Sequence, residues 1–352
     1  MSVTVHQRPG VYSSYDAVSV IRGRGRGAVV GLVGVNQKAQ AGKVEFFTRY
    51  EQAAAAFGTE EAEGMAELIR LALGNGASAV AAVAVSGAGN YAQGFAALEQ
   101  LEELSVVLCG STDQSVQVKL RDSVERASQV RRERIAVAAC PAGADAAGCI
   151  SRAKALDHER VVLVAPGCVD REGRALSGLL AAAAVAGAIA GESDPAVPLG
   201  GAELRGLCGV DRQFSDGDMD RLILGGVTVV ESVGGGVSVV RGVTTRTTTD
   251  GTPDPTWREL TTIRIVDDVI PDLRNALRSR FRRTKNTPRS REAIRAQVVL
   301  ELEHKVEREI ITGYEDVAVT ADPQEPTRCL VDFSFTAAHG LNQIWLTAHI
   351  AV

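Results

Sequence analysis

The chain has few of the side chains that ligate metals or pair into disulfides. Its 352 residues include five histidines and six cysteines, and no two cysteines are spaced as C-x-x-C. Structural zinc sites and disulfide frameworks need closely spaced Cys or His residues. The cysteines lie singly, most of them in or beside apolar runs: Cys109, Cys140, Cys149, Cys168, Cys208 and Cys329. We therefore expect reduced cysteines that act as small core residues, and no metal site.

The chain also lacks a long apolar run, a signal-peptide pattern and a basic overall charge. Its longest apolar run, residues 175–190, consists largely of Ala and Gly and is shorter than the ~20 residues that a spanning helix needs. The net charge is -5, and aromatic residues make up 4% of the chain. These features argue against membrane insertion and against nucleic-acid binding, which favours basic surfaces with interleaved aromatics.

What is present is the composition of a soluble globular protein, 45% hydrophobic and 23% charged, long enough for two or three domains. We divide it into an N-terminal arm (1–25), a small α/β domain (26–92), a central α/β domain (93–250), a C-terminal α+β domain (251–340) and a terminal strand (341–352). In the small domain, Thr48 and Glu51 have the spacing of a capping box at a helix start.

The central segment alternates helical and strand patterns. Short apolar runs at 105–109, 134–139 and 160–165 each follow a helical stretch, which predicts a mostly parallel sheet covered on both faces. Ser215 is expected to cap a helix. Two β-rich runs, 227–232 and 237–243, are joined by three glycines and predict a hairpin.

The C-terminal segment mixes helices and strands. A third β-rich run, Leu260–Val266, is predicted as a strand, and Asp272–Lys285 as a helix bounded by prolines. Thr287 is expected to cap a second helix that begins at Pro288. Two alternating runs around a proline-rich turn, 314–320 and 328–336, predict a strand pair.

The order and spacing of several motifs resemble the tail sheath proteins of contractile phage tails and related injection machines. The resemblance covers essentially the whole chain and rests on these segments: PGVY from Pro9, ERVVLVAPG from Glu159, the Ala-rich block Leu176–Ala190, FSDGDMDRLILGG from Phe214, and Leu222–Asp268.

The resemblance implies a subtilisin-like central domain and terminal arms that exchange strands between subunits. It implies a structural protomer, without cofactor, that stacks as hexameric rings around an inner tail tube and contracts to drive that tube through a target envelope. The implied partners are other copies, the tube protein, and the baseplate and terminator proteins. The implied location is the tail of a virion or tailocin, assembled in the bacterial cytoplasm. A non-contractile baseplate or adaptor protein, and a hydrolase on the subtilisin-like scaffold, are the alternatives.

The hydrolase alternative requires Ser, His and a carboxylate within hydrogen-bonding reach. The central domain has one histidine, His158, in a charged stretch that predicts a solvated helix end, and Ser177 opens a small-residue helix as a cap would. G-x-S-x-G and phosphate-binding loops are missing, and Gly23–Gly27 precedes a strand where a dinucleotide loop would follow one. We expect no catalytic residues.

One charged feature stands out in this acidic chain. Residues 268–291 contain seven arginines, one lysine and two aspartates, a local charge of +6. Four of the cations recur every three to four residues, so that they would line one helix face: Arg274, Arg278, Arg282 and Lys285. A solvated surface face is one interpretation, and a basic ridge that holds an acidic partner, here the tube, is a second. Nucleic-acid binding is a third, which the lack of interleaved aromatics and of a reader motif disfavours.

The two ends of the chain carry short β-branched or alternating runs, and the alternating run at the C-terminal end needs a strand partner. The resemblance implies that both ends pair with neighbouring subunits. The residues proposed for this exchange are Val11, Tyr12, Val18, Val20, Ile344, Leu346, Ala348, Ile350 and Val352. The glycines proposed as hinges are Gly23, Gly25, Gly27 and Gly340.

Overall fold

The computed structural model describes residues 28–342, which fall into two compact units. The N-terminal unit contains residues 28–263 and 340–342, and the C-terminal unit contains residues 264–339.

The N-terminal unit alternates strands and helices as the sequence predicts. Its elements are β1 (Val29–Val35), β2 (Val44–Phe47), α1 (Tyr50–Phe57), α2 (Met65–Gly74), β3 (Ala79–Val85), α3 (Tyr91–Glu99), β4 (Leu104–Cys109), α4 (Gln114–Gln129), β5 (Ile135–Ala139), α5 (Ala146–Leu156), β6 (Val161–Ala165), α6 (Leu179–Gly191), β7 (Glu203–Leu204), α7 (Asp216–Leu224), β8 (Val227–Val233), β9 (Gly236–Arg241), β10 (Thr248–Thr249) and β11 (Thr252–Pro253).

Nine of these strands form one sheet in the order β2-β3-β1-β4-β5-β6-β8-β9-β7. The strands from β3 to β8 run parallel to one another, and the remaining three pair antiparallel at the two sides. Strands β5 and β6 are buried along their whole length, because helices cover both faces of a parallel sheet. The predicted mostly parallel α/β fold is confirmed.

This sheet crosses the boundary that we predicted near residue 92. Strand β1 pairs with β3 on one side and with β4 on the other, so that Val33 lies opposite both Val83 and Cys109. The predicted segments 26–92 and 93–250 therefore share one sheet and do not have separate cores.

Helix α6 explains the Ala-rich block of the sequence. Residues 181–186 are completely buried, and the helix packs so closely on α2 that a Cβ at Gly187 would lie 2.3 Å from the Ala72 carbonyl oxygen. Only small side chains permit this approach of two backbones. Within residues 28–342, no helix combines the length and apolar composition that a membrane span requires.

Local signals in this unit succeeded where they were strong. Strands β8 and β9 form the predicted hairpin, with Gly234 and Gly235 at positive φ in its turn. The Ser215 side chain caps α7 by accepting from the amide of Asp218. The predicted capping box at Thr48 is wrong. Helix α1 begins at Tyr50, and no side chain caps its first turn.

The C-terminal unit contains two long helices and two long strands. They are α8 (Leu260–Phe281, whose first four residues precede the unit), α9 (Pro288–Glu307), β12 (Ile311–Ala321) and β13 (Cys329–Ala337). Thr287 caps α9 as predicted, accepting from the amide of Ser290. The predicted strand Leu260–Val266 is wrong, because these residues form the start of α8.

A buried ion-pair cluster joins the two helices of this unit. The Lys305 ammonium of α9 lies 2.5 Å from a carboxylate oxygen of Asp268 and 2.5 Å from one of Asp272, which are one turn apart on α8. Val298 and Leu302 of α9 are fully buried. The strands β12 and β13 form an antiparallel two-stranded sheet.

Candidate functional site

The carboxyl edge of a parallel sheet is where α/β enzymes bind their ligands, at the point where the strand order reverses. Here that point lies between β1 and β4, and residues of the chain itself contact one another there. The Gly110 amide donates to the Val33 carbonyl over 2.8 Å, and the Tyr91 hydroxyl donates to the Gly110 carbonyl over 2.8 Å. A Cβ at Gly34 would meet the Met65 side chain at 2.7 Å. Main-chain groups and side chains of the protein itself therefore contact one another at the position where an α/β enzyme would bind its ligand.

Ser177 and His158, the two residues tested as catalytic, have separate partners. The buried Ser177 hydroxyl donates to the Glu63 carboxylate, which also accepts from the Ser177 amide over 2.8 Å. The His158 Nδ1 accepts a hydrogen bond from the Arg160 backbone amide over 3.0 Å, which occupies the lone pair of that nitrogen. Each residue thus has a local structural role.

The prediction of a solvated His158 is wrong. Its side chain is only 15% exposed, and its backbone exchanges two hydrogen bonds with the Thr245 hydroxyl. Burial lowers the pKa of His158, partly opposed by the neighbouring Glu159 carboxylate. This burial could not be predicted from the sequence, since Thr245 lies 87 residues further along the chain.

Metal chemistry finds no support among the described residues. No group of three or more His, Cys, Asp or Glu side chains within 28–342 could hold a metal ion. All six cysteines are free, and four of them are buried. Burial raises the pKa of Cys109 and of Cys168 to about 12, so these thiols stay protonated and unreactive.

The basic stretch of the C-terminal unit differs from the predicted ridge. Helix α8 ends at Phe281, so Arg282 and Lys285 lie in the following turn, exposed to solvent. Arg278 is exposed on the helix, whereas Arg274 is only 8% exposed. The four residues therefore do not line one face of one helix. The same stretch has further exposed cations that the predicted ridge does not include: Arg280, Arg283 and Arg289.

The hairpin β12–β13 is an unusually incomplete sheet. Each strand pairs with only one other strand among the described residues. The outer edges of the 11-residue β12 and the 9-residue β13 therefore have no neighbouring strand there. Val331, Phe333 and Phe335 lie on one face and remain half-buried, with the two rings stacked at 6.3 Å. Two strands alone are marginally stable in water, and α9 packs beside this sheet, where the Arg295 guanidinium donates to the Val317 carbonyl of β12 over 2.9 Å.

The terminal exchange residues proposed from the sequence lie outside the described residues. This holds for Val11, Tyr12, Val18, Val20, Ile344, Leu346, Ala348, Ile350 and Val352, and for the hinge glycines Gly23, Gly25 and Gly27. Gly340 is described, and a Cβ there would lie 2.8 Å from the ring of Pro198. The position therefore requires a residue without a side chain, and its role as a hinge stays a prediction.

Two family models match the chain in consecutive segments. A model of the phage tail sheath protein central domain matches residues 84–245, and one of the phage tail sheath C-terminal domain matches residues 252–351. The chain belongs to the phage tail sheath family. This sheath-family chain is also 30% identical over 206 residues to the tail sheath protein of Bacillus phage SP01. The aligned segment is 57% of this chain and 35% of that relative, so the chain matches about a third of the relative's length.

Solved structures of sheath proteins share the fold of this family member. The sheath tail protein from Desulfitobacterium hafniense aligns with a TM-score of 0.69 and 14% identity, over 93% of this chain and 100% of that chain. The helical sheath of the anti-feeding prophage in its contracted state aligns with a TM-score of 0.72 and 16% identity, over 98% and 99% of the two chains. The predicted family and fold class are confirmed.

Proposed function

We propose that this chain is the protomer of a contractile tail sheath. It would polymerise as stacked hexameric rings around an inner tail tube and contract to drive that tube through a target cell envelope. The observation that carries this proposal is the presence of both sheath domains, central and C-terminal, in sequence order in one chain. The alignment over 99% of a contracted sheath chain supports the same assignment.

The open hairpin supplies a physical basis for polymerisation. The outer edges of β12 and β13 have no strand partner within residues 28–342. An extended segment that pairs with one of these edges gains main-chain hydrogen bonds and covers the half-buried Phe333 and Phe335. We propose that the arms of neighbouring subunits provide these strands, from the region of Val11–Val20 and from Ile344–Val352. Main-chain pairing specifies register through the alternation of side chains while short flanking segments allow the subunits to turn.

Tube binding is proposed for the exposed cations around the end of α8. Arg278, Arg282 and Lys285 face solvent and would contact acidic side chains of the tube. Each exposed pair contributes only ~0.2–1 kcal/mol, but the contacts repeat around every ring. Reversing Arg278 and Arg282 to glutamate should weaken tube retention in a co-sedimentation assay without unfolding the protomer. A sheath in which these residues point to the outer solvent would refute this assignment.

We propose that the protomer has no catalytic activity and needs no cofactor. The hydrogen bond between Gly110 and Val33 at the sheet edge and the separate partners of Ser177 and His158 support this. The free energy of contraction would then reside in the interfaces between subunits. The same proposal places the chain in the tail of a virion or tailocin, assembled in the bacterial cytoplasm, with baseplate and terminator proteins at its ends.

A truncation and a pair of point variants test the proposal. Deleting residues 341–352 should leave a soluble, folded protomer that forms no tubes in electron micrographs. Ile350→Asp should impair assembly, whereas Thr347→Asp, the same charge on the other face of the alternating run, should impair it less. If the truncated chain forms normal tubes, the strand exchange is wrong. If the full chain never forms ordered assemblies, the adaptor alternative is favoured. Stoichiometric labelling of Ser177 by a serine-reactive probe would instead support the hydrolase alternative.

A further inference from the structure

The two ends of α9 lie in stretches of opposite charge. Residues 278–291 carry seven cations and no carboxylate, whereas residues 301–316 carry six carboxylates and two cations. Within the helix, the first two turns hold three arginines and one carboxylate, and the last two hold three carboxylates and one lysine: Arg289, Arg291, Arg295 and Glu292, then Glu301, Glu303, Glu307 and Lys305. Lys305 is buried, Arg291 and Glu301 are half-buried, and the others are exposed.

This distribution opposes the stability of the helix itself. Anions are favourable at a helix N-terminus and cations at a C-terminus. The first turn of α9 holds two arginines and no carboxylate, and its last turn holds Glu307 as well as Lys305. Arg291 with Arg295, and Glu303 with Glu307, are like-charge pairs four residues apart, which repel each other on a helix. Arg278 and Arg280 lie in the last turn of α8, where cations are favourable. This does not explain the glutamates at the C-terminal end of α9.

Intramolecular pairing does not account for these charges either. Among the described residues, Arg291 donates to the Asn286 side chain, Arg295 to the Val317 carbonyl, and Glu303 accepts from the Tyr314 hydroxyl. These partners are neutral, and the described part of the chain supplies no ion pair for any of the three. The second cation of the acidic end, Lys305, is already engaged by Asp268 and Asp272.

The two ends are also too far apart to neutralise each other. A helix of 20 residues spans about 30 Å at ~1.5 Å per residue. The Debye length at physiological ionic strength is about 8 Å. Each end therefore presents its own charge to whatever lies next to it.

We propose that the basic start of α9 in one copy docks against the acidic end of α9 in a second copy of this chain. Opposite charges on different patches of one molecule make a head-to-tail contact, which builds rings or open helices when it repeats. Charge complementarity of this kind also selects the register of the contact and speeds encounter. The inference rests on the proposed self-assembly and names the surface that would direct it.

Charge reversal tests the contact on the full chain. Arg289→Glu with Arg291→Glu should abolish sedimenting assemblies, or raise the protomer concentration needed for them by about tenfold or more. Its melting temperature should equal or exceed that of the parent, because the new glutamates suit the helix N-terminus. Glu303→Arg with Glu307→Arg should also abolish assembly alone. Arg171→Glu with Arg205→Glu, both exposed in the N-terminal unit, is the control for net charge and should assemble normally.

Restoration of complementarity is the deciding result. The chain that carries all four α9 reversals, or a mixture of the two double variants, should assemble again. If either double variant assembles like the parent, or if the four-fold variant fails while remaining folded, the proposed contact is wrong. If the parent chain itself does not assemble, the proposed sheath function fails first, and the two failures are thereby distinguished.

Discussion

Replacing Gly187 by alanine tests how closely α6 and α2 are packed. In an open helix this change stabilises by about 1 kcal/mol, because alanine loses less backbone entropy than glycine. Here the added methyl would lie 2.3 Å from the Ala72 carbonyl oxygen and 3.0 Å from the Ala72 Cα. These are main-chain atoms of a buried helix, so that no side chain can turn aside and the two helices must separate. Overpacking of this kind costs about 1–3 kcal/mol.

The two effects leave a net destabilisation of up to about 2 kcal/mol for Gly187→Ala. Urea unfolding of the variant and the parent, with equal slopes, would measure it as a lower midpoint. Gly217→Ala in α7 is the matched control, because an added Cβ there meets no atom within 4 Å. It should be neutral or stabilising by up to about 1 kcal/mol. If the Gly187→Ala variant is as stable as the Gly217→Ala variant, α2 and α6 are not packed closely enough for an added methyl group to force them apart.

Three further changes test separate parts of the structure. Lys305→Met should lower the free energy of unfolding by about 2–3 kcal/mol, because it removes the cation that pairs with two neighbouring carboxylates. This loss is smaller than that for a fully buried pair, because Asp272 is 34% exposed. Adding Asp268→Asn and Asp272→Asn to this variant should recover part of the lost stability. Burial lowers the pKa of His158, so the unfolded state binds more protons as the pH falls below about 6.5; the parent should lose stability there, and His158→Gln should flatten this dependence. Ser215→Ala should cost about 1 kcal/mol in thermal unfolding, since it removes the cap of α7.

The elements that the sequence predicted well are those with local signals. The glycine turn between β8 and β9, the Ser215 cap and the Thr287 cap each depend on residues within four positions of one another. The parallel strands were equally visible, because strands buried on both faces are continuous apolar runs. Their joining into one sheet across residue 92 was not visible, since strand order is a non-local property.

The start of α8 shows why a local signal can mislead. Leu260–Val266 is rich in β-branched residues, and Pro271 suggested that a helix begins only after it. Over a longer window the buried apolar residues Leu260, Ile263, Val266, Ile270 and Leu273 recur every three to four positions, which is a helical period. Packing of this stripe overrides the weak strand propensity of single residues. The basic ridge was placed wrongly for the same reason, because the predicted helix Asp272–Lys285 begins and ends later than α8.

Cryo-electron microscopy of the assemblies formed by the purified full chain is the sharpest test of the proposed sheath function. We expect tubes of stacked six-fold rings in which the sheet of β12 and β13 gains strands from the arms of neighbouring subunits. Absence of ordered tubes under any assembly condition would contradict the sheath assignment. Tubes in which this sheet keeps only its own two strands would contradict the proposed linkage.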